Sequence, residues 1–454
     1  MESTKNKVIN GPIWTSMLSY FFALMLGAFF QQLYNTVDAV IVGRVVGPDG
    51  LAAVGGSAAT VVNLFVGFFI GLSSGATVVI AQFYGASRTE EVSKAVHTAI
   101  ALAILGGAVI TVIGLATAGW VIDIMKTPSE IVDASAVYLR IYFIGMIPNL
   151  VYNMGAGILR AVGDSKRPLI VLIISCFANI ILDMFFVIGL GMGKVSVTMG
   201  VVGVAVATIL CQLISAIIVL IMLVKSNDTY KLAINKIRLD MGMLRRIIRI
   251  GLPAGIQSTM YTLSNMLIQT SINELGKEYT AAWAAYGKID ILFWMTISSL
   301  GTSVTTFAGQ NFGAGKYDRV HKSMRTAFII ALTITIPLSY LLYWHGDFLL
   351  RIFVEDVNVI YVGIQMIRFL APFYFTYIGV EVFSGVLRGM GTAFVPMIIT
   401  LGGICILRVA WILIAFPISK TVETVEFSYP LTWITTSVLF FFYFIYYTRK
   451  KNIR

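Results

Sequence analysis

Three polar spacings sit inside long apolar runs of this chain. In QQLYNTVDAVIVG, residues 31–43, Tyr34 lies four positions before Asp38 and Gln31 seven before it, so all three share one helix face, with Asn35 beside them. In CFANIILDMFF, Asn179 and Asp183 are again four apart, and GVAVATIL carries Thr208. An Asp at the centre of a membrane helix costs about 3 kcal/mol on insertion scales, so each carboxylate requires a reason for being there. With a rise of about 1.5 Å per residue, Asp38, Asp183 and Thr208 all fall about 10–15 Å below the same end of their helices. Two carboxylates, an amide, a phenol and a hydroxyl at one depth are the groups that bind and release a proton or a sodium ion. The plainer alternative is that the two carboxylates only hydrogen-bond neighbouring helices.

The elements that must position these groups follow from composition. The chain has 454 residues, 58% of them hydrophobic and 12% charged, with a mean hydropathy of +0.86. Those values belong to an all-α integral membrane protein. Crossing a bilayer takes about 20 apolar residues, and runs of that length recur often enough to predict twelve transmembrane helices. The first run is too long for a signal-peptide core and no small-residue cleavage site follows it, so it is expected to be a retained helix. Cys176, Cys211 and Cys405 all lie inside apolar runs without paired spacing, which indicates neither disulfides nor a zinc site.

A net charge of +11 raises the question of nucleic acid. Its distribution answers it. With both termini cytoplasmic, most of the 33 Lys and Arg fall on the cytoplasmic side, from Lys5 and Lys7 through the stretch Lys225 to Arg249 to the tail ending at Arg454. That is the positive-inside bias of a membrane protein, and no nucleic-acid partner is expected. There is no Walker sequence and no nucleophile–base constellation, so neither ATP nor an enzymatic activity is expected. GLGMGKVSVTMG, 189–200, is glycine-rich but is expected to be an outer loop without a phosphate role. His97, His321 and His345 have no ligand spacing, and no cofactor is expected.

The chain also repeats itself. Gln82 and Gln310, Gly85 and Gly313, Lys94 and Lys322, Thr98 and Thr326 are each 228 positions apart, as are Arg160 and Arg388, Gly163 and Gly391, and Pro168 and Pro396. The offset predicts two pseudo-symmetric six-helix bundles, 1–225 and 251–454, joined by a basic amphipathic cytoplasmic linker, 226–250. Parallel halves around a central site are a transporter plan. The second half lacks the Asp38–Asp183 set and carries Lys288, Asp290, Glu381 and Arg408 instead. Glu381 aligns with Asn153. These four residues, with Gln31, Asn35 and Asn153, are the expected substrate-cavity groups, although an internal Arg408–Asp290 ion pair is an equal alternative to a substrate contact. Gly67, Gly71 and Gly75 recur every fourth residue and predict close helix packing.

Together, FFQQLYNTVDAVIVGRVVG, the FYGA and NFGAG elements, and ILRAVGDSKRP with VLRGMG resemble the MATE family of multidrug and toxic compound extrusion transporters. The resemblance covers essentially the whole chain. It implies twelve helices in two lobes that rock around a cavity, and export of cationic or amphipathic compounds in exchange for H⁺ or Na⁺ as the coupling ion. The seventh span, GLPAGIQSTMYTLSNMLIQTSIN, has no acidic residue. The matching positions are therefore those of the DinF-like branch: Tyr34, Asp38, Asn179, Asp183 and Thr208, with Asp38, Asn179, Asp183 and Thr208 the ligands in the case of sodium. Relatives often carry a proline where this chain has Ala23, so a bend of the first helix would have to rely on Gly27. The resemblance also implies a monomer in a bacterial cytoplasmic membrane. A flippase for a lipid-linked oligosaccharide, from the same superfamily, is the alternative.

Overall fold

A computed structural model describes residues 7–189 and 197–451. Most of the expected outer loop around Gly193, and the terminal cations Lys5 and Arg454, lie outside the described residues. Among the described residues all regular structure is helical. Among the described residues ten helices are long and apolar enough to cross a membrane, and Val132–Ile144 with Met146–Ala161, bent by 50°, makes an eleventh when the pair is counted as one span. The twelfth expected span lies in Met241–Glu274, long enough at 34 residues but interrupted by Gln257, Asn265, Gln269 and several hydroxyl residues. The first helix runs from Ile13 to Ile41 without a break at Ala23 or Gly27. Ala keeps its N–H and favours helix, and Gly27 packs against Leu172 Cδ1.

The repeat is visible in backbone hydrogen bonds. After the Ser57–Gly85 helix, Arg88 N–H donates to Phe83 O, and after Lys277–Gly313, Lys316 N–H donates to Asn311 O. Both are the six-to-one bond of a Schellman helix end, and both require a left-handed residue. That residue is Ser87 (φ 57°) in the first repeat and Gly315 (φ 69°) in the second. Gly163 and Gly391 mark a second equivalent helix end, with φ of 92° and 85°.

The chain forms two compact units: Ala23–Gly255, and Met1–Phe22 with Ile256–Arg454. They do not divide where the expected lobes and linker do. The stretch 226–250 packs on the first-repeat helices. His97 Nε2 accepts the Ala233 N–H (3.0 Å), Thr98 Oγ1 accepts the Asp240 N–H (3.1 Å), and Arg246 stacks over Phe83. Tyr230, Leu232 and Ile247 are buried there. The Met241–Glu274 helix then continues past Gly251 and Gly255, whose backbone lies directly on Gly75 and Gly71, as the four-residue glycine spacing predicts; any side chain at Gly71 or Gly75 would overlap it. In the other unit the leading segment is held the same way. Arg319 Nη2 donates to Val8 O (3.0 Å) and Gly11 O (2.7 Å), and Lys316 Nζ to Asn10 Oδ1 (2.9 Å). Each repeat thus holds the segment that leads into the other.

Candidate functional site

In the Ala23–Gly255 unit, three helices bring the acidic set together. Asp38 lies on the last turn of Ile13–Ile41, Asn179 and Asp183 on the last turns of Lys166–Asp183, and Thr208 in Val197–Val224. Asp38 faces both Asp183 and Asn179. Asp183 and Asn179 are essentially inaccessible, at 0% and 1% exposure. Beyond the mutual contacts of Asp38 with Asp183 and Asn179, and of Asn179 with Cys211, five polar atoms here are buried without a well-formed hydrogen bond: Asp38 Oδ1, both oxygens of Asp183, and the amide oxygen and nitrogen of Asn179. Leaving such groups unpaired costs about 1–3 kcal/mol apiece and more for charged ones.

A π-helical turn, Val42–Val46, begins four residues after Asp38, and another, Met184–Gly189, directly after Asp183. Such turns break the regular ladder and often accompany functional sites. One turn beyond the polar layer on each helix comes a valine. Val42 follows Asp38 by four residues, Val187 follows Asp183 by four, and Val204 precedes Thr208 by four. The three are buried against one another, with Ile41, Val46 and Val54 around them, and form an apolar plug over the carboxylates.

Tyr34 lies near Asp38, as expected, and also near Gln31, Tyr142 and Tyr152. Thr208 is buried and its hydroxyl donates back to Val204 O (3.0 Å). Gln31 and Asn35 are exposed. Asn153 is elsewhere: its amide donates to Asn149 O (2.9 Å) and Asn149 Oδ1 (3.1 Å). Sequence reasoning missed Tyr142, Tyr152 and four further neighbours. Tyr138 lies near both carboxylates, and Gln212 bonds Tyr142 (3.4 Å). Cys176 and Cys211 both border the carboxylates. Their positions three residues from Asn179 and Thr208 placed them on the same faces.

The other unit contains a cavity of about 480 Å³. Asp290, Glu381 and Arg408 line it together, whereas Lys288 is exposed and does not. Glu381 lines the same space. Its walls are aromatic, with Trp283, Trp294, Trp433, Tyr286 and the hydroxyl-paired Tyr261 and Tyr377 (3.2 Å). The Arg408–Asp290 ion pair does not form. Asp290 is already satisfied: Tyr374 donates to Oδ1 (2.6 Å) and Trp294 Nε1 to Oδ2 (2.5 Å). Arg408, 3% exposed, lies over the Tyr429 ring (4.2 Å) and donates to Thr432 Oγ1 (3.2 Å) and, at 3.5 Å, to Asn265 Oδ1. Its Nε has no partner. Glu426, 1% exposed with Oε1 unpartnered, is a further buried acid that the sequence pattern did not single out.

Comparison with known proteins places this arrangement. A family model described as MatE matches residues 23–185 and 253–414, one segment in each repeat. A probable multidrug resistance protein, YoeA of Bacillus subtilis, is 28% identical over 449 residues, covering 97% of this chain and 95% of its own. A probable multidrug resistance protein NorM of Thermotoga maritima is 26% identical over 332 residues, covering 73% and 70%. Among solved structures, an outward-facing multidrug resistance MATE family transporter of the MOP superfamily superposes with a TM-score of 0.90 at 22% identity, covering 100% of this chain and 99% of that one. The chain belongs to the MATE family of multidrug-extrusion transporters.

Proposed function

We propose that the protein is a secondary antiporter that exports cationic or amphipathic organic compounds in exchange for H⁺ or Na⁺, with Asp38, Asp183 and Asn179 as the coupling site. The observation that carries this reading is the set of five buried polar atoms without a well-formed hydrogen bond on those residues. Two carboxylates confined together repel as like charges, and a shared proton or a cation removes that repulsion. A sodium ion, a hard cation, takes oxygen ligands, which Asp38, Asp183, Asn179 and Thr208 supply; a proton needs only the carboxylates. The residue pattern is that of the DinF-like branch.

Coupling follows if ion and cargo prefer different states of the transporter. Facing outward, the ion neutralises the site and lowers its hold on a cationic cargo; facing inward, ion release restores it. Each ion supplies about 1.4 kcal/mol per tenfold gradient and about 2.3 kcal/mol per 100 mV of membrane potential for its charge. The basic cytoplasmic segments support a bacterial cytoplasmic-membrane location with both termini inside, and a single chain is sufficient for the mechanism.

The test is efflux of ethidium from proteoliposomes holding the wild type or Asp38→Asn, driven by a pH gradient without sodium or by a sodium gradient at equal pH. Transport under one gradient that is lost in the variant supports the reading and identifies the ion. Equal transport by both proteins would reduce Asp38 to a packing residue.

A further inference from the structure

We infer that the first three turns of Met241–Glu274 form a docking face for an anionic phospholipid, whose phosphate sits between Arg245 and Arg249 and whose acyl chains lie along Ile248 and Leu252. Periodicity is the first support. At about 100° per residue, Met241, Arg245, Ile248, Arg249 and Leu252 fall within an arc of about 100°. All five are exposed, whereas Met243, Ile247 and Ile250 point the other way and are buried. Charge is the second support. The stretch 226–252 carries Lys231, Lys236, Arg238, Arg245, Arg246 and Arg249 against two acids, and both acids are engaged. Asp228 accepts from the Tyr84 hydroxyl (3.3 Å) and the Thr229 N–H (2.7 Å). Asp240 Oδ1 accepts the Met243 N–H (2.9 Å), and its charge acts on Lys94. Arg246 lies over the Phe83 ring (5.2 Å). None of the other five cations makes an ion pair or a side-chain hydrogen bond among the described residues.

Length is the third. A helix of 34 residues is about 50 Å long, and a hydrocarbon core of about 30 Å takes about 20 of them, which leaves about seven at each end among the headgroups. Arg245 then stands at phosphate level, Arg249 reaches back to it from the boundary, and Ile248 and Leu252 meet acyl chains. Guanidinium donors match phosphate oxygens in pairs, and a lipid of net negative charge leaves no headgroup cation to compete with them. Ile234, 71% exposed between Lys231 and Lys236, repeats the combination of an apolar side chain among unpaired cations. The helix that opens the first repeat, Ile13–Ile41, contains no Lys or Arg, so the fold itself does not demand this charge. The whole face belongs to the Ala23–Gly255 unit, and binding there is independent of which ion or cargo the protein carries. On the orientation proposed above, the lipid is one of the cytoplasmic leaflet.

The experiment is native mass spectrometry of the purified full-length protein in detergent, with dioleoyl phosphatidylglycerol and dioleoyl phosphatidylcholine added in equal amounts. The two lipids differ only in the headgroup. The phosphatidylglycerol adduct is expected to exceed the phosphatidylcholine adduct about fivefold or more, the factor that one basic residue near an anionic lipid supplies. Arg245→Gln with Arg249→Gln is expected to bring the ratio to about one. Lys450→Gln with Lys451→Gln, which removes two exposed cations at the far end of the chain, is expected to leave it unchanged. Met241→Ser with Ile248→Ser is expected to lower retention of both lipids, and excess glycerol 3-phosphate, which has no acyl chains, is expected not to displace the adduct. Equal adducts on the wild type would overturn the inference. So would equal loss in both cation variants, which would mean general surface charge, or displacement by glycerol 3-phosphate, which would mean a site for free phosphate. Unchanged retention in the Met241 and Ile248 variant would remove the acyl-chain contact. The lipid comparison and the glycerol 3-phosphate competition use the unaltered protein, so neither depends on the variants folding.

Discussion

Gly301 faces Glu381 at the position where, one repeat earlier, Ser73 faces Asn153. In the first repeat Ser73 Oγ donates to Asn153 O (3.0 Å). In the second, a Cβ on Gly301 would overlap the Glu381 carboxylate. The longer acid and the missing side chain are complementary: glycine makes room for a carboxylate that opens into the cavity. Gly301→Ala is therefore expected to displace Glu381 and to lower thermal stability by about 1–3 kcal/mol. Gly301→Ala combined with Glu381→Ala should recover most of the stability. Thermal unfolding of the two variants checks both halves.

The valine plug gives a second expectation. Val204 is 1% exposed and packs on Val42 and Val187 one turn from the carboxylates. Val204→Ala removes two methyl groups and costs about 1–2 kcal/mol. It also thins the apolar layer over the acidic site. Proteoliposomes with this variant should leak the coupling ion in the absence of cargo, while ethidium efflux per ion falls. Unchanged ion flux would assign the valines to packing alone.

Ser87 occupies a left-handed backbone position that its counterpart Gly315 fills at no steric cost. A non-glycine residue there loses about 1 kcal/mol. Ser87→Gly should raise the thermal midpoint of the detergent-solubilised protein, and Gly315→Ser should lower it, with transport unaffected in the first case.

His97 fixes the segment between the repeats. Its Nδ1 lies 2.6 Å from Ser93 O, which makes Nδ1 the donor and leaves Nε2 to accept from Ala233. His97→Leu removes both bonds. Trypsin should then cut at Lys231, Lys236 and Arg238 at least several times faster than in the wild type, read by mass spectrometry of the first fragments. Equal cleavage rates would mean that Thr98 and the buried Leu232 hold the segment without it.

Periodicity and repetition determined much of this protein before any contact was known. The 228-residue offset carries the matched helix ends at Ser87 and Gly315, because a turn is a local structure and its residues are its cause. The four-residue spacings placed Asp38 with Tyr34, and Asn179 with Asp183, because a helix face is also local. Partner choice is not. Asp290 is satisfied by Trp294, one turn away, and by Tyr374, 84 positions on, so the ion pair with Arg408 never forms; the sequence holds no signal that ranks these donors. The leading segments 7–22 and 226–255 fold into the opposite repeat's unit because His97, Thr98, Asn311 and Arg319 offer hydrogen bonds to backbone groups far along the chain. Cys176 and Cys211 beside the carboxylates, and the burial of Glu426, were likewise fixed only when helices distant in sequence packed together. Sequence sets which groups share a face; tertiary packing decides what each face meets.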